Sequence, residues 1–108
     1  LLRQERNGGS YLARNTALAR ARGELVTIQD ADDWSHPERI ARQVSVLRKN
    51  PARPASLSRA VRATDHLRYT WLGFSPQRTN ASSLMLTRDT LERLGPFAGS
   101  VFVVERTW

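Results

Sequence analysis

The fold class this sequence predicts is α/β, a layered sheet with helices packed on it, and three observations lead there. Residues 11–22 are rich in Ala, Leu and Arg and follow the turn signal Asn7-Gly8-Gly9-Ser10. Gly23 then separates them from a short, mostly apolar run over residues 24–29. A second helix start, Ser35-His36-Pro37-Glu38, stands just beyond. Helix, glycine, buried-type strand and helix in that order are the repeating unit of a layered α/β domain.

In the first helix Ser10 is the expected N-cap. Ala13, Ala17 and Ala21 recur at i, i+4 and i+8, with Leu18 alongside, a small-residue face suited to close packing on a sheet. Arg14, Arg20 and Arg22 lie mostly off it, and Gly23 is the expected stop. In residues 24–29, Leu25, Val26 and Ile28 suit a strand covered on both faces. The second helix has Ser35 as cap, Pro37 in its first turn and Glu38 completing a capping box. Ile40, Val44 and Leu47 form its inward stripe, Arg39, Arg42 and Arg48 point away, and Pro51 ends it near Asn50.

After the connector 51–54, residues 56–64 read as a strand with Leu57, Val61 and Ala63 on one alternation. Arg59 and Arg62 mark it as an edge or partly solvated strand. Residues 65–80 show no clean period and read as a long loop or irregular hairpin. Residues 82–86 suit a short buried strand. Thr87 then caps a helix with Asp89 in its first turn and Leu91 and Leu94 inward, stopped by Gly95-Pro96. Residues 101–105 suit a last strand.

With 108 residues the chain holds one domain at most, and 40% apolar with 25% charged residues argues against wholesale disorder. The absence of cysteine excludes disulfides, a thiolate zinc site and a cysteine nucleophile. No apolar run reaches the roughly 18 residues of a membrane span. The chain opens on Leu1, with neither an initiator Met nor a leader, and stops at Trp108. It therefore reads as a segment of something longer or a truncated reading frame. The net charge of +7 attracts phosphates of any kind. Of the 17 basic residues only Lys49 is Lys, so 16 are Arg, a bias that GC-rich codons also produce. Those Arg are scattered from Arg3 to Arg106, so no nucleic-acid partner is expected.

Chemistry concentrates in Asp30-Ala31-Asp32-Asp33, at the end of the apolar strand. If strand geometry continues, Asp30 and Asp32 project to one side. Three adjacent carboxylates repel one another, and a divalent cation or surrounding donors lower that cost. Hard oxygen ligands suit Mg²⁺ or Mn²⁺, and in open α/β sheets ligands bind beyond the carboxyl ends of strands. The simpler reading stands beside this one: Asp favours turns and helix starts, and Ser35 opens a helix just beyond.

Residues 7–50 resemble the middle of a family 2 glycosyltransferase: the Gly-containing turn, Ala13-Arg14-Asn15, Ala21-Arg22-Gly23-Glu24, the apolar strand, the acidic run and the Pro37-Glu38 helix start. A looser similarity covers residues 82–97, ending in Leu94-Gly95-Pro96-Phe97. The resemblance implies a partial GT-A (Rossmann-like) fold over residues 1–108, with 7–50 as the metal and donor-diphosphate segment and 51–108 as the acceptor side. It implies transfer, with inversion, of a sugar from a nucleotide-sugar donor to a hydroxyl of a glycan, lipid or protein acceptor. Asp32 would be the metal ligand, with Asp30 facing the metal or the ribose. Asp33 would complete the donor motif or orient the loop. Arg14 and Asn15 would lie beside the donor, although an Asn within a helix also bonds locally. Mg²⁺ or Mn²⁺ is the implied cofactor. A cytoplasmic location follows, at most peripheral to the inner face of the cell membrane, with a membrane-associated parent.

Two departures accompany the resemblance. No equivalent of the family's opening βαβ nucleotide-binding half precedes Asn7, so the N-terminal half is expected to be missing. The late general base falls to Glu105, the only acid after Phe97, which also reads as a solvated terminal residue. A non-catalytic remnant and, less favoured, a basic nucleic-acid-binding module are the other readings. Trp34 is read as a core anchor before a sugar-lining residue. His36 and His66 read as surface residues, and Tyr69 and Trp71 as loop packing or sugar-stacking groups.

Overall fold

A computed structural model describes residues 2–69 and 77–97. Its elements are α1 (Gly9–Arg20), β1 (Leu25–Thr27), α2 (Arg39–Lys49), β2 (Ala55–Val61), β3 (Gln77–Thr87) and α3 (Arg88–Leu94). The three strands form one antiparallel sheet in the order β1-β3-β2, with α2 packed on β2 and α3 on β3. The expected mixed α/β layering is present, consistent with a partial domain of the GT-A kind. None of the described helices is long and apolar enough to cross a membrane.

The long central strand is the main departure from expectation. Gln77 to Asn80 belong to β3 and not to an irregular segment, because they pair with β2 from Val61 to Ser58. The pairing is broken by a bulge: Ser56 faces Met85 and Ser58 faces Asn80, so two steps along β2 span five along β3. A bulge re-aims side chains and needs substitute partners for the interrupted ladder. Ser83 supplies one, its Oγ accepting the Ser58 N–H at 2.8 Å and donating to the Asn80 carbonyl at 2.6 Å.

Among the described residues the buried apolar side chains are Leu47 from α2 with Met85 and Leu86 from β3, accompanied by two buried polar side chains, Gln43 and Ser83. Gln43 Nε2 donates to the Ser83 carbonyl at 2.8 Å and the Ser56 carbonyl at 3.2 Å, tying helix to sheet across the bulge. The inward face of α2 is therefore Arg39, Gln43 and Leu47, with Val44 half-buried. Ile40 is exposed and Arg39 is not turned away. The 3.6-residue period was legible, but its phase is set by the carbonyls that the bulge leaves unpaired.

Similar shifts correct other elements. In β2 the half-buried alternation is Ser56, Ser58 and Ala60, while Leu57 and Val61 face outward. On α1 the alanine face is largely open: Ala13 and Ala17 are exposed, and Arg14, Asn15 and Leu18 are half-buried. The N-cap of α1 is Gly8, without a side-chain cap, in place of Ser10, and just ahead of it Asn7 Oδ1 accepts from Gly9 N–H. The helix ends at Arg20, before Gly23. Ser35 does not cap α2, whose N-cap is Glu38. Leu94 is exposed, so only Leu91 of the α3 pair turns inward. Three boundaries stand as expected: α2 stops at Lys49 before Pro51, Thr87 Oγ1 caps α3 through Thr90 N–H, and Gly95 ends α3 at φ 77°. Residues 101–105, the expected last strand, lie outside the described residues.

Candidate functional site

Antiparallel pairing holds β1 to β3 as far as Thr27, and the Ile28 N–H still reaches the Leu84 carbonyl at 3.1 Å. Beyond that the chain turns. Asp33 N–H donates to the Asp30 carbonyl at 3.2 Å, so residues 30–33 form a turn and the alternation that would set Asp30 and Asp32 side by side does not extend to them.

One side chain closes this turn. Gln29 Nε2 donates to the carbonyls of Asp30 at 3.0 Å and Asp33 at 2.8 Å. Gln29 Oε1 in turn accepts from Ser35 Oγ and from Arg39 Nη2, the latter at 3.1 Å. Arg39 extends the link into the fold. Its Nη1 donates to Gln43 Oε1 at 3.1 Å, Thr27 Oγ1 at 3.3 Å and the Ser83 carbonyl at 3.4 Å, and its Nη2 to the Ile28 carbonyl at 3.4 Å. Its buried Nε has no partner among the described residues. The turn is thereby coupled to β1, α2 and the bulge of β3.

The three aspartates separate by environment. Asp30 is half-buried: Arg14 Nη2 donates to Oδ1 at 2.9 Å, and Ser82 Oγ donates to Oδ2. The Ser82 hydroxyl above all, and then the Arg14 guanidinium, hold its carboxyl below the usual carboxylate range, against the opposing effect of partial burial. Ser82 sits in the bulged stretch of β3, so the ladder irregularity is what brings it to Asp30. Asp32 and Asp33 are exposed, and their carboxylates make no hydrogen bond or ion pair among the described residues.

Among the described residues no group of three or more His, Asp or Glu gathers in a way that would hold a metal by itself. The donor set at the turn is two free hard carboxylates, Asp32 and Asp33, beside Asp30, whose oxygens each accept one hydrogen bond. That fits Mg²⁺ or Mn²⁺ in the form these ions usually take, with one or two carboxylates and the remaining positions filled by ligand phosphates and water.

The other nominated residues have definite places. Arg14 meets Asp30. Asn15 engages both atoms of its amide with the backbone of Phe97: Nδ2 donates to the carbonyl and Oδ1 accepts the N–H, each at 2.8 Å. Trp34, expected in the core, is 79% exposed and meets His36 edge-on with ring centroids 6.3 Å apart. His36 and His66 are exposed, as is Tyr69. Trp71 and Glu105 lie outside the described residues. Sequence reasoning missed Gln29, Arg39 and Ser82. Uncharged amide and hydroxyl side chains carry no motif, and Arg39 followed the pattern of an outward-facing helix residue.

A groove of about 430 Å³ at α2 and β2 is lined by Trp34, Arg39, Gln43, Leu57 and Val61 among others. The model for glycosyl transferase family 2 matches residues 1–107 of the chain. No curated protein matches it, and no solved structure does.

Proposed function

The chain belongs to glycosyl transferase family 2, whose members join a sugar from a nucleotide-sugar donor to an acceptor, and from that premise we propose a metal-assisted, inverting transfer centred on the turn at residues 30–33. The observation that carries this reading is the division of labour among the aspartates. Asp30 is paired with Arg14 and hydrogen-bonded by Ser82 and anchors the turn, while Asp32 and Asp33 present free carboxylates from a loop that Gln29 and Arg39 hold closed.

In inverting transfer the acceptor oxygen attacks the anomeric carbon from the face opposite the diphosphate. The carbon–oxygen bond to the diphosphate breaks, and the acceptor proton passes to a base. Asp32 is the residue that would hold Mg²⁺ or Mn²⁺, with Asp33 beside it. The bound ion supplies positive charge that stabilises the departing nucleoside diphosphate. Asp30 acts through its partners: paired with Arg14, it keeps the turn at the end of β1. Asn15 braces α1 against Phe97 and so holds Arg14 in place. Glu105 is assigned the acceptor proton. The acceptor is a glycan, lipid or protein hydroxyl.

Calorimetry with a nucleoside diphosphate tests the reading. Binding is expected in the presence of Mn²⁺, lost on chelation and lost in Asp32→Ala. Binding that is indifferent to both metal and Asp32 would overturn it.

A further inference from the structure

The groove between α2 and β2 has a composition that the acidic turn does not explain. Its charged lining consists of Arg39, Arg42 and Arg59, and no Asp or Glu lines it. Arg42 is matched by Glu38 at 2.6 Å and the Arg39 guanidinium is engaged by acceptors of the fold, whereas Arg59 forms no ion pair among the described residues and donates only to the uncharged Gln77 Oε1, at 2.9 Å. Leu57, Val61 and Val46 line the same groove and are exposed at 49%, 43% and 39%. Trp34 also lines it, adjacent in the chain to Asp33 and more exposed than any of these. A Trp with most of its surface in water is unusual for a folded chain, because its large apolar body is normally covered.

We propose that this groove is an acceptor subsite for an acidic saccharide, with the Trp34 ring stacking on a sugar face and the guanidinium of Arg59, which has no carboxylate partner among the described residues, meeting its carboxylate. The inference rests on the transferase reading above and adds the acceptor's chemical class to it. An aromatic face takes the C–H side of a sugar ring, and the polar edge of the ring is left for donors. A groove whose cations outnumber its anions selects a ligand of negative charge. Guanidinium pairs carboxylate in a planar, two-pronged way, which distinguishes a uronate from a neutral sugar of equal size. The volume of about 430 Å³ is in the range of small-ligand sites. Because Trp34 follows Asp33 directly, a saccharide seated on it lies one residue from the turn where the donor diphosphate is proposed to bind.

The test uses the intact chain, a galacturonic acid hexamer and a neutral maltohexaose, with affinity measured by calorimetry at fixed ionic strength. The acidic hexamer is expected to bind at least about tenfold more tightly than the neutral one. Trp34→Ala should weaken it by about tenfold, and Trp34→Phe should restore most of the loss, since both side chains offer a ring. Arg59→Ala should weaken it, whereas Arg93→Ala, an exposed residue of α3 outside the groove, should not. Trp34 is so exposed that its removal leaves the fold intact, which circular dichroism verifies.

Equal affinity for both hexamers, or equal loss in Arg59→Ala and Arg93→Ala, would overturn the proposal in favour of nonspecific attraction to a basic chain. Nucleoside diphosphate binding with Mn²⁺ is measured on the same samples. If it persists while hexamer binding is absent, the subsite falls and the donor reading stands. If hexamer binding persists at Trp34 while metal-dependent binding is absent, the donor reading falls alone.

Discussion

Arg14 Nη2 lies 2.9 Å from Asp30 Oδ1, so two residues that the sequence nominates separately for the donor are each other's partner. The pair ties α1 to the end of β1, and Ser82 from the β3 bulge completes the cluster. Each oxygen of the Asp30 carboxylate accepts one hydrogen bond, which fixes its orientation. The same engagement makes it a good anchor for its neighbours.

That cluster sets a pH dependence. The folded carboxyl of Asp30 is held below its ordinary range by Ser82 and Arg14, so it binds fewer protons folded than unfolded near its titration. Its contribution to stability is full above the unfolded value of about 4 and disappears as pH falls through the lowered folded value. Denaturant titrations at descending pH should show this loss in the native chain. Asp30→Asn should be less stable at neutral pH and show a shallower decline on acidification.

Arg39 carries a second prediction. Its guanidinium bonds five acceptors, on Thr27 of β1, Gln43 of α2, Ser83 of β3, and Ile28 and Gln29 just beyond β1, and Gln29 closes the acidic turn. Arg39→Met keeps the stem and removes the donors, at an expected cost of about 1–3 kcal/mol in chemical denaturation. Nucleoside diphosphate affinity with Mn²⁺ should fall as well, because Asp32 loses its fixed position. Arg39→Lys should restore little, since an ammonium lacks the fork that reaches Gln29 and Gln43 together.

Asn15→Ala removes both bonds to the Phe97 backbone and leaves that carbonyl and N–H without their partner. A loss of about 1–3 kcal/mol is expected by urea unfolding. Asn15→Asp should retain acceptance from the N–H but place a carboxylate against the carbonyl, so it should recover only part of the loss.

Gln43 is buried, and its amide bridges the Ser56 and Ser83 carbonyls while accepting from Arg39. Gln43→Leu is close in size but leaves those carbonyls unmet in the core. It should destabilise the fold by about 1–3 kcal/mol. Val46→Ala, on the exposed groove side of the same helix, should cost less in the same assay.

Local chemistry was readable from the sequence wherever a short segment settles its own structure. Pro51 ends α2, the Thr87 hydroxyl starts α3, and Gly95 takes the positive φ that closes it. The α/β class and the position of the acidic run after an apolar strand belong to the same level, as does the residue pattern of family 2 glycosyltransferases. The tertiary structure alone decided which face of each element turns inward and which aspartate is free. A hydrophobic period has a repeat but no phase, and here the phase follows polar demand: carbonyls exposed by a bulge in β3 draw in Gln43 and Arg39 past Ile40. The acidic run is likewise three equal letters until Ser82, 52 positions away, and Arg14, 16 positions away, both reach Asp30. Contacts that distant in the chain exist only once strand register is set, and no local spacing encodes them.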